Sequence, residues 1–217
     1  MVCASTCEGR RREMQPGGGI IKLIVTGRWP QVARQIKSEL RKAIPGARVR
    51  SAGFRSVFIL EAAGDVMELT QRINRDCAED IGHATPMLAE VESEINAIKD
   101  AAVKIGTTQV GQEESFCFRI FKRGPHGLEK DTPKLEDEIG RAISEALQLK
   151  NGKKPVVDLD EPDVTVVAEM LGPVTMVGVL RRDWRATPSG QPGKASEEHE
   201  KSATNAAAAN PTAQAAP

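Results

Sequence analysis

Hydrophobic and polar positions in the second half of the chain predict a strand followed by a helix. Side chains alternate with a period of two over residues 116–121, which is typical of a strand that buries one face. Apolar residues then recur with helical spacing, behind an N-cap at Asp131 or Thr132. Asn151–Gly152 is a typical helix end, so we expect this helix to stop there.

A β-hairpin is predicted after this helix. Residues 164–171 and 174–180 are rich in strand-forming residues, and Gly172–Pro173 between them suits a tight turn. The strand at 116–121 ends in a basic corner, Lys122-Arg123-Gly124. The segment from 116 to 182 is therefore predicted to form one small α/β module.

The first half of the chain shows a different order of elements, βαββαβ. The predicted elements are strand 20–25, a helix from about 30 to 43, strands 47–51 and 56–61, a helix from 66 to 77 or beyond, and strand 85–91. That order is the split βαβ pattern of a ferredoxin-like fold. We therefore expect an α/β (α+β) protein with a ferredoxin-like domain followed by a second α/β domain.

The domain boundaries follow from composition and from helix signals. Residues 92–106 predict a linking helix that is stopped by Gly106, and a polar connector follows it. Both ends of the chain lack hydrophobic periodicity, so we expect them to be disordered. The alternative for the first thirteen residues is a start of translation at Met14. The predicted division is 1–18 flexible arm, 19–91 ferredoxin-like domain, 92–112 linking helix and connector, 113–185 second domain, and 186–217 disordered tail.

The charge is balanced overall but unevenly distributed. The 217 residues carry 30 Lys and Arg against 30 Asp and Glu, and a net charge of zero argues against a nucleic-acid-binding protein. Residues 1–60, however, hold 12 basic against 3 acidic residues, while residues 61–116 hold 4 against 12. Two interpretations stay open, a basic face for RNA or ordinary solvated surface. Aromatic residues make up only 3% with no Tyr, so contact with RNA should depend on phosphate and shape instead of base stacking.

No catalytic constellation is present in the sequence. A glycine-rich dinucleotide motif after a strand, a phosphate-binding loop, HExxH and GxSxG are all missing, and three histidines offer little general-base chemistry. Four carboxylates lie close together at Asp158, Asp160, Glu161 and Asp163, where a turn is a more natural interpretation than a cation site. We expect no cofactor and no metal.

The cysteines and the hydropathy favour the cytoplasm. Cys3 and Cys7 have no second pair at metal-ligand spacing, and Cys77 and Cys117 are expected to be reduced and structural. No run of 18 apolar residues could span a membrane, and the N-terminus lacks the apolar stretch of a signal peptide.

Three segments of the second half, FRIFKRG, LEDEIGRAI and VDLDEPDVTVVAEM, resemble in their order and spacing the THUMP domain, a small RNA-binding module of tRNA-modifying enzymes. The resemblance implies that residues 113–185 bind RNA, usually tRNA, and that a ferredoxin-like domain precedes them. Gly140 also stands at a position that matches the family, and we expect a glycine there to permit close helix packing instead of ligand contact.

Candidate RNA-binding residues are the cations of both halves, which would clamp phosphates. In the THUMP-like half they are Arg119, Lys122, Arg123, Arg141, Lys150, Lys153 and Lys154. In the first half they are Arg28, Arg34, Arg41, Lys42, Arg48, Arg50 and Arg55, and the helix and hairpin that carry them are expected to adjoin one another.

The function implied by the resemblance is that of a non-catalytic adaptor. Full-length THUMP enzymes carry a catalytic domain, whereas the 35 residues after Arg182 are of low complexity. The arrangement is similar to the stand-alone adaptor family that assists an RNA cytidine acetyltransferase on tRNA. The alternatives are an RNA-binding subunit for tRNA methylation or thiolation, a protein-interaction module that uses the acidic middle of the chain, and an enzyme with an unrecognised site.

Overall fold

The structure is a computed structural model that describes residues 20–29, 33–125, 128 and 131–184. The predicted arm, the predicted tail, Cys3, Cys7 and the expected helix start near Pro30 lie outside these residues. The elements are β1 (Ile20–Gly27), α1 (Ala33–Ala43), β2 (Arg48–Ser51), β3 (Val57–Ala63), α2 (Val66–Asp76), β4 (Ile81–Glu92), α3 (Ile95–Gln109), β5 (Phe116–Arg123), α4 (Thr132–Asn151), β6 (Val164–Leu171), β7 (Val174–Arg181) and a 3₁₀ turn (Arg182–Trp184). The predicted mixed α/β class and the order of elements are confirmed.

The seven strands form one sheet in the order β2-β3-β1-β4-β7-β6-β5. All neighbours are antiparallel except β5 and β6, which are parallel because α4 forms the crossover between them. Strand β4 belongs to both halves, since it pairs with β1 up to Pro86 and with β7 from Met87 onward. It is therefore longer than the predicted strand 85–91, because the residues before Thr85 also pair with β1.

A glycine makes the change of partner within β4 possible. The register of β4 against β7 shifts between Met87 and Ala89, and the backbone of β7 approaches closely at Gly178. A Cβ atom on Gly178 would lie 1.9 Å from the carbonyl oxygen of Pro86. Only glycine is compatible with this backbone approach.

Helices cover one face of each half of the sheet. In the first half α1 and α2 pack on alternate residues of the central strand, so that Leu23 and Val25 share a core with Ile36 of α1. In the second half α3 and α4 pack on β5, β6 and β7. A third cluster forms where the two halves meet, and it joins Ile24 of β1 to Met176 of β7.

The end predicted for the linking helix is wrong. Helix α3 passes through Gly106 and continues to Gln109. Gly106 is buried against α4, where an added Cβ would lie 2.7 Å from Cγ2 of Ile143. Gly140 of α4, expected to permit close packing, has Cβ of Phe118 as its nearest neighbour at an ordinary 3.9 Å. Close helix packing therefore depends on Gly106, and the helix continues because α4 buries this position.

The hairpin and the ends of α4 agree with the sequence signals. Asp131 occupies the N-cap position, and Gly152 closes the helix in the left-handed conformation at φ +68°. Gly172 has φ +73° and precedes a proline, whose ring fixes φ near −65°, the combination of a type II′ turn.

Among the described residues no helix is long and apolar enough to cross a membrane.

Candidate nucleic-acid interface

A buried ion pair lies at the C-terminal end of β5. Glu169 of β6 is completely buried, and its Oε2 accepts a hydrogen bond from the guanidinium of Arg123, whose side chain is 21% exposed. Nε2 of His83, from the first half of the sheet, lies 3.7 Å from the other carboxylate oxygen. Burial lowers the pKa of Arg123, but a guanidinium stays charged in proteins. Both halves of the sheet therefore surround one buried carboxylate.

The same guanidinium packs on an exposed aromatic ring. The carbon of the Arg123 guanidinium lies 5.5 Å from the centroid of Phe121, and the His83 ring lies 6.0 Å from it. Arg123 thus contacts a carboxylate and a ring inside the protein. An RNA phosphate would have to compete with Glu169 for this predicted RNA-binding residue.

Arg119 also has internal partners. It donates to Oε2 of Glu136 at 3.1 Å and to the carbonyl of Leu159 at 2.7 Å. The second oxygen of Glu136 accepts the backbone N–H of Ile120 at 3.0 Å. Strand β5 lies at the edge of the sheet, and Glu136 accepts the Ile120 N–H, which no neighbouring strand pairs with.

The remaining predicted cations of the second half lie at the surface or close to it. Lys122 is half-buried, while Arg141 and the three lysines after it are exposed. Their partners are peripheral: Arg141 pairs with Asp137 one turn away, Lys150 donates to the carbonyl of Thr107, and Lys153 pairs with Glu113 at 2.8 Å. Exposed pairs of this kind contribute little stability, so these cations can exchange partners with phosphate.

The predicted cations of the first half divide between two faces. Arg34, Arg41 and Lys42 are exposed on α1. On β2, Val49 joins the core under α1, so its neighbours Arg48 and Arg50 point to the opposite face. The structure therefore does not bring the α1 and β2 cations into one continuous surface.

The cations of the first half also differ in their partners. Arg48 and Arg50 share Glu61 at 3.9 and 3.7 Å, and Arg28 donates to the carbonyl of Ala78 at 3.2 Å. Lys42 pairs with Glu39 at 2.8 Å, and that hydrogen bond raises the pKa of Lys42. No ion pair or hydrogen bond joins Arg34, Arg41, Arg55 or Lys154 to another described side chain.

A contact that sequence reasoning missed joins the two halves beside the basic corner. Gly124 has φ +76°, and a Cβ there would lie 2.8 Å from the ring of Phe54, in the turn between β2 and β3. Arg55 follows Phe54 directly and is exposed. The glycine after the basic pair was the sequence signal for this close approach.

The carboxylates at 158–163 form a turn. Asp158 accepts the backbone N–H groups of Asp160 and Glu161, each at 3.0 Å. Asp163 accepts the N–H and the hydroxyl of Ser115 at 2.8 and 2.7 Å. These hydrogen bonds lower the pKa of Asp158 and of Asp163. In the described ranges no group of three His, Cys, Asp or Glu residues could hold a metal ion.

The two described cysteines, Cys77 and Cys117, are buried and form no disulfide. Burial raises the pKa of Cys77 to about 11, and nearby carboxylates act in the same direction. Such a thiol is protonated at neutral pH and unreactive, as expected of a structural cysteine.

Comparison with known proteins shows which domain family residues 92–180 match. The sheet, with α3 and α4 on one face and a basic end at β5, has the mixed α/β architecture expected from the resemblance. Residues 92–180 match the family model of the THUMP domain, so the chain contains a THUMP domain. No curated protein matches the sequence.

Several solved structures share the fold. PH1313 from Pyrococcus horikoshii is 16% identical with a TM-score of 0.52, and the match covers 74% of this chain and 54% of that chain. TrmN from Thermus thermophilus is 20% identical with a TM-score of 0.52, covering 74% and 45%. A 4-thiouridine synthetase, crystallised with RNA and ATP, is 17% identical with a TM-score of 0.52, covering 75% and 42%. The chain thus spans about half the length of these proteins, and the identities show a common fold alone.

Proposed function

We propose that this chain is a tRNA-binding protein without a catalytic site of its own, which presents tRNA to a modification enzyme in trans. The observation that carries the proposal is the THUMP domain at residues 92–180. A similar structure is that of a 4-thiouridine synthetase in complex with RNA, which supports RNA as the ligand of this architecture.

The described surface is suited to phosphate contacts. Four predicted cations, Arg34, Arg41, Arg55 and Lys154, are exposed and have no ion pair with a described side chain. Each cation that neutralises a phosphate releases condensed counterions, so binding should weaken as salt increases. Arg119 and Arg123 act mainly inside the protein, where they fix the edge and the end of β5.

The reaction that we propose the chain assists is cytidine N-acetylation, with an RNA cytidine acetyltransferase as its partner. The support is the similarity of the arrangement to the stand-alone adaptor family. The alternative is a tRNA-binding subunit for methylation or thiolation, and the fold shared with a 4-thiouridine synthetase favours keeping it. The proposed compartment is the cytoplasm, which is consistent with Cys77 and Cys117 being reduced and outside any disulfide.

Binding of folded tRNA, followed by fluorescence anisotropy across a salt series, tests the RNA-binding part. The test variant is Arg34→Ala/Arg41→Ala, which removes two exposed arginines from α1. The matched control is Arg72→Ala/Arg75→Ala, which removes two arginines from α2, where both pair with Asp76.

We expect wild type to bind tRNA at low salt and the α1 variant to bind more weakly than the α2 control. Two lost phosphate contacts would flatten the dependence of log K on log salt by about 1.5, at roughly 0.7–0.9 per phosphate. Absence of tRNA binding at low salt would refute the proposal. Equal losses in the two variants would show that net charge, and not the α1 surface, determines binding.

Nucleoside mass spectrometry tests the reaction. tRNA is incubated with an RNA cytidine acetyltransferase and its acetyl donor, with and without the chain. We expect N-acetylcytidine to increase when the chain is present and to be absent with the chain alone. Product formed by the chain alone would show that it is an enzyme, while a requirement only in methylation or thiolation would support the alternative.

A further inference from the structure

The start of the connection after β1, residues 27–29, is hydrogen-bonded to the turn before β3. The N–H of Gly27 donates to the carbonyl of Ser56 at 2.7 Å, and the Ser56 hydroxyl donates to the carbonyl of Trp29 at 3.2 Å. On the other side, the N–H of Arg28 donates to the carbonyl of Asp80 at 2.9 Å. Residues 27–29 are therefore hydrogen-bonded to two neighbouring segments, at Ser56 and at Asp80.

The turn that contacts this connection contains unusual backbone. Ser56 is buried and has φ +58°, the positive-φ residue other than glycine among those described. Gly27 is packed so tightly that a Cβ there would lie 2.4 Å from Cδ1 of Ile36. A positive φ such as that of Ser56 persists where surrounding contacts enforce it, and such residues are common at ligand sites.

The hydrogen-bonded segment 27–29 nevertheless presents its largest side chain to solvent. Trp29 is 57% exposed, whereas Trp184, the second tryptophan of the chain, is 2% exposed in the core. The hydrogen bonds beneath Trp29 do not serve to bury its indole, which stays exposed. Backbone held in this way suits a platform for a flat ligand, since less conformational freedom is lost when the ligand stacks.

The charges around Trp29 favour an anionic ligand. Arg55 is exposed and adjoins Ser56, and Arg34 is exposed in the first turn of α1. Arg28 is half-buried and donates to the carbonyl of Ala78. The nearby carboxylate of Asp80 accepts the side-chain amide of Gln35 at 3.0 and 3.2 Å.

We propose that Trp29 is a stacking platform for an unpaired nucleobase of RNA, with Arg34 and Arg55 holding its flanking phosphates. The inference rests on the proposed RNA-binding function and adds base stacking to the phosphate contacts expected from the sequence. A duplex has no free base face to offer at this platform, so single-stranded RNA is the form that it binds.

Tryptophan fluorescence offers a direct test because the chain has no tyrosine. In Trp29→Leu the remaining emission comes from buried Trp184, so the difference between wild type and this variant reports on Trp29. Both proteins are titrated with a single-stranded RNA octanucleotide, with a fully paired RNA duplex, and with folded tRNA. Anisotropy with labelled RNA gives the affinities in parallel.

We expect the octanucleotide to quench wild-type emission and the duplex not to do so, and Trp29→Leu to lose the quenching. The affinity for single-stranded RNA should fall about tenfold in Trp29→Leu and less in Trp29→Phe, since one stacked base contributes roughly that factor. The matched control is Leu149→Ala, which truncates an apolar side chain that is 87% exposed on α4 and should leave both signals unchanged.

The possible failures are distinguishable. If tRNA binds while Trp29 emission and the affinity of Trp29→Leu stay unchanged, the platform is refuted and the proposed function stands. If duplex and single-stranded RNA quench equally, Trp29 does not recognise an unpaired base, which also refutes the platform. If none of the three RNAs binds, the proposed function and the platform fail together.

Discussion

Replacing Arg123 with alanine removes the guanidinium that pairs with the buried carboxylate of Glu169. Removal of one partner from a buried pair destabilises a fold by about 3–5 kcal/mol, because the other charge stays buried without compensation. The Arg123 side chain is still 21% exposed, so water reaches the pair and we take the lower end, about 3 kcal/mol. That is a large share of the stability of a typical domain, about 5–15 kcal/mol.

A surface pair in the same half of the molecule is the control. Lys153 pairs with Glu113, and their side chains are 57% and 75% exposed. Exposed pairs contribute about 0–1 kcal/mol, so Lys153→Ala should barely change the free energy of unfolding. Both variants lose one positive charge from a residue predicted to bind RNA, but only one of these charges pairs with a buried carboxylate.

The assay is thermal and urea unfolding followed by circular dichroism, with reductant present. For a chain of this size a loss of about 3 kcal/mol lowers Tm by roughly 6–12 °C. If Arg123→Ala melts within about 2 °C of Lys153→Ala, the buried pair does not stabilise the fold as argued. In that case, weaker tRNA binding by Arg123→Ala can be assigned to a lost phosphate contact. If Arg123→Ala is destabilised as expected, its tRNA binding must first be corrected for the unfolded fraction.

The other predictions concern two helical glycines and one carboxylate. Gly140→Ala should raise the free energy of unfolding by about 0.5–1 kcal/mol, because a Cβ has 3.9 Å of room there, while Gly106→Ala should lower it through the contact with Ile143. An increase of Tm in both variants would contradict the packing argument. Asp163→Asn should be less stable at pH 7 by about 1 kcal/mol, since Asp163 accepts two hydrogen bonds from Ser115. The pKa of Asp163 is lowered in the folded state, so its contribution to the free energy of unfolding is present above about pH 4 and is lost on acidification. Urea titrations should therefore show the free energies of unfolding of wild type and Asp163→Asn becoming equal as the pH falls below about 4.

Local signals predicted the elements well because local physics forms them. Gly152 and Gly172 can adopt a positive φ because they have no side chain. This property ends a helix at Gly152 and closes a hairpin at Gly172, and both signals are local in the sequence. The role of Gly106 was not predictable in this way. Whether a glycine stops a helix or admits a neighbouring helix depends on Ile143, which is far away along the chain.

The candidate site was less predictable for the same reason. A pattern of basic residues does not show which of them face carboxylates after folding. Arg123 meets Glu169 because β5 and β6 are parallel neighbours, and Arg119 meets Glu136 because α4 crosses beside its strand. In the first half of the chain, Trp29 is hydrogen-bonded to the turn between β2 and β3, which is distant in sequence. The position of a single tryptophan in the sequence therefore carried no signal for a binding site.

Strand β4 has a practical consequence for experiments with fragments. The family match begins at residue 92, which is the last residue of this strand. A fragment cut there would keep β7 but lose the strand that pairs with it from Val174 to Gly178, leaving an open edge that invites pairing with another chain. The complementary fragment, ending at residue 91, would keep most of β4 with nothing along half of its length. Expression of either half alone is therefore expected to give aggregates or strand-exchanged dimers, and the smallest useful unit for binding studies spans residues 20–184.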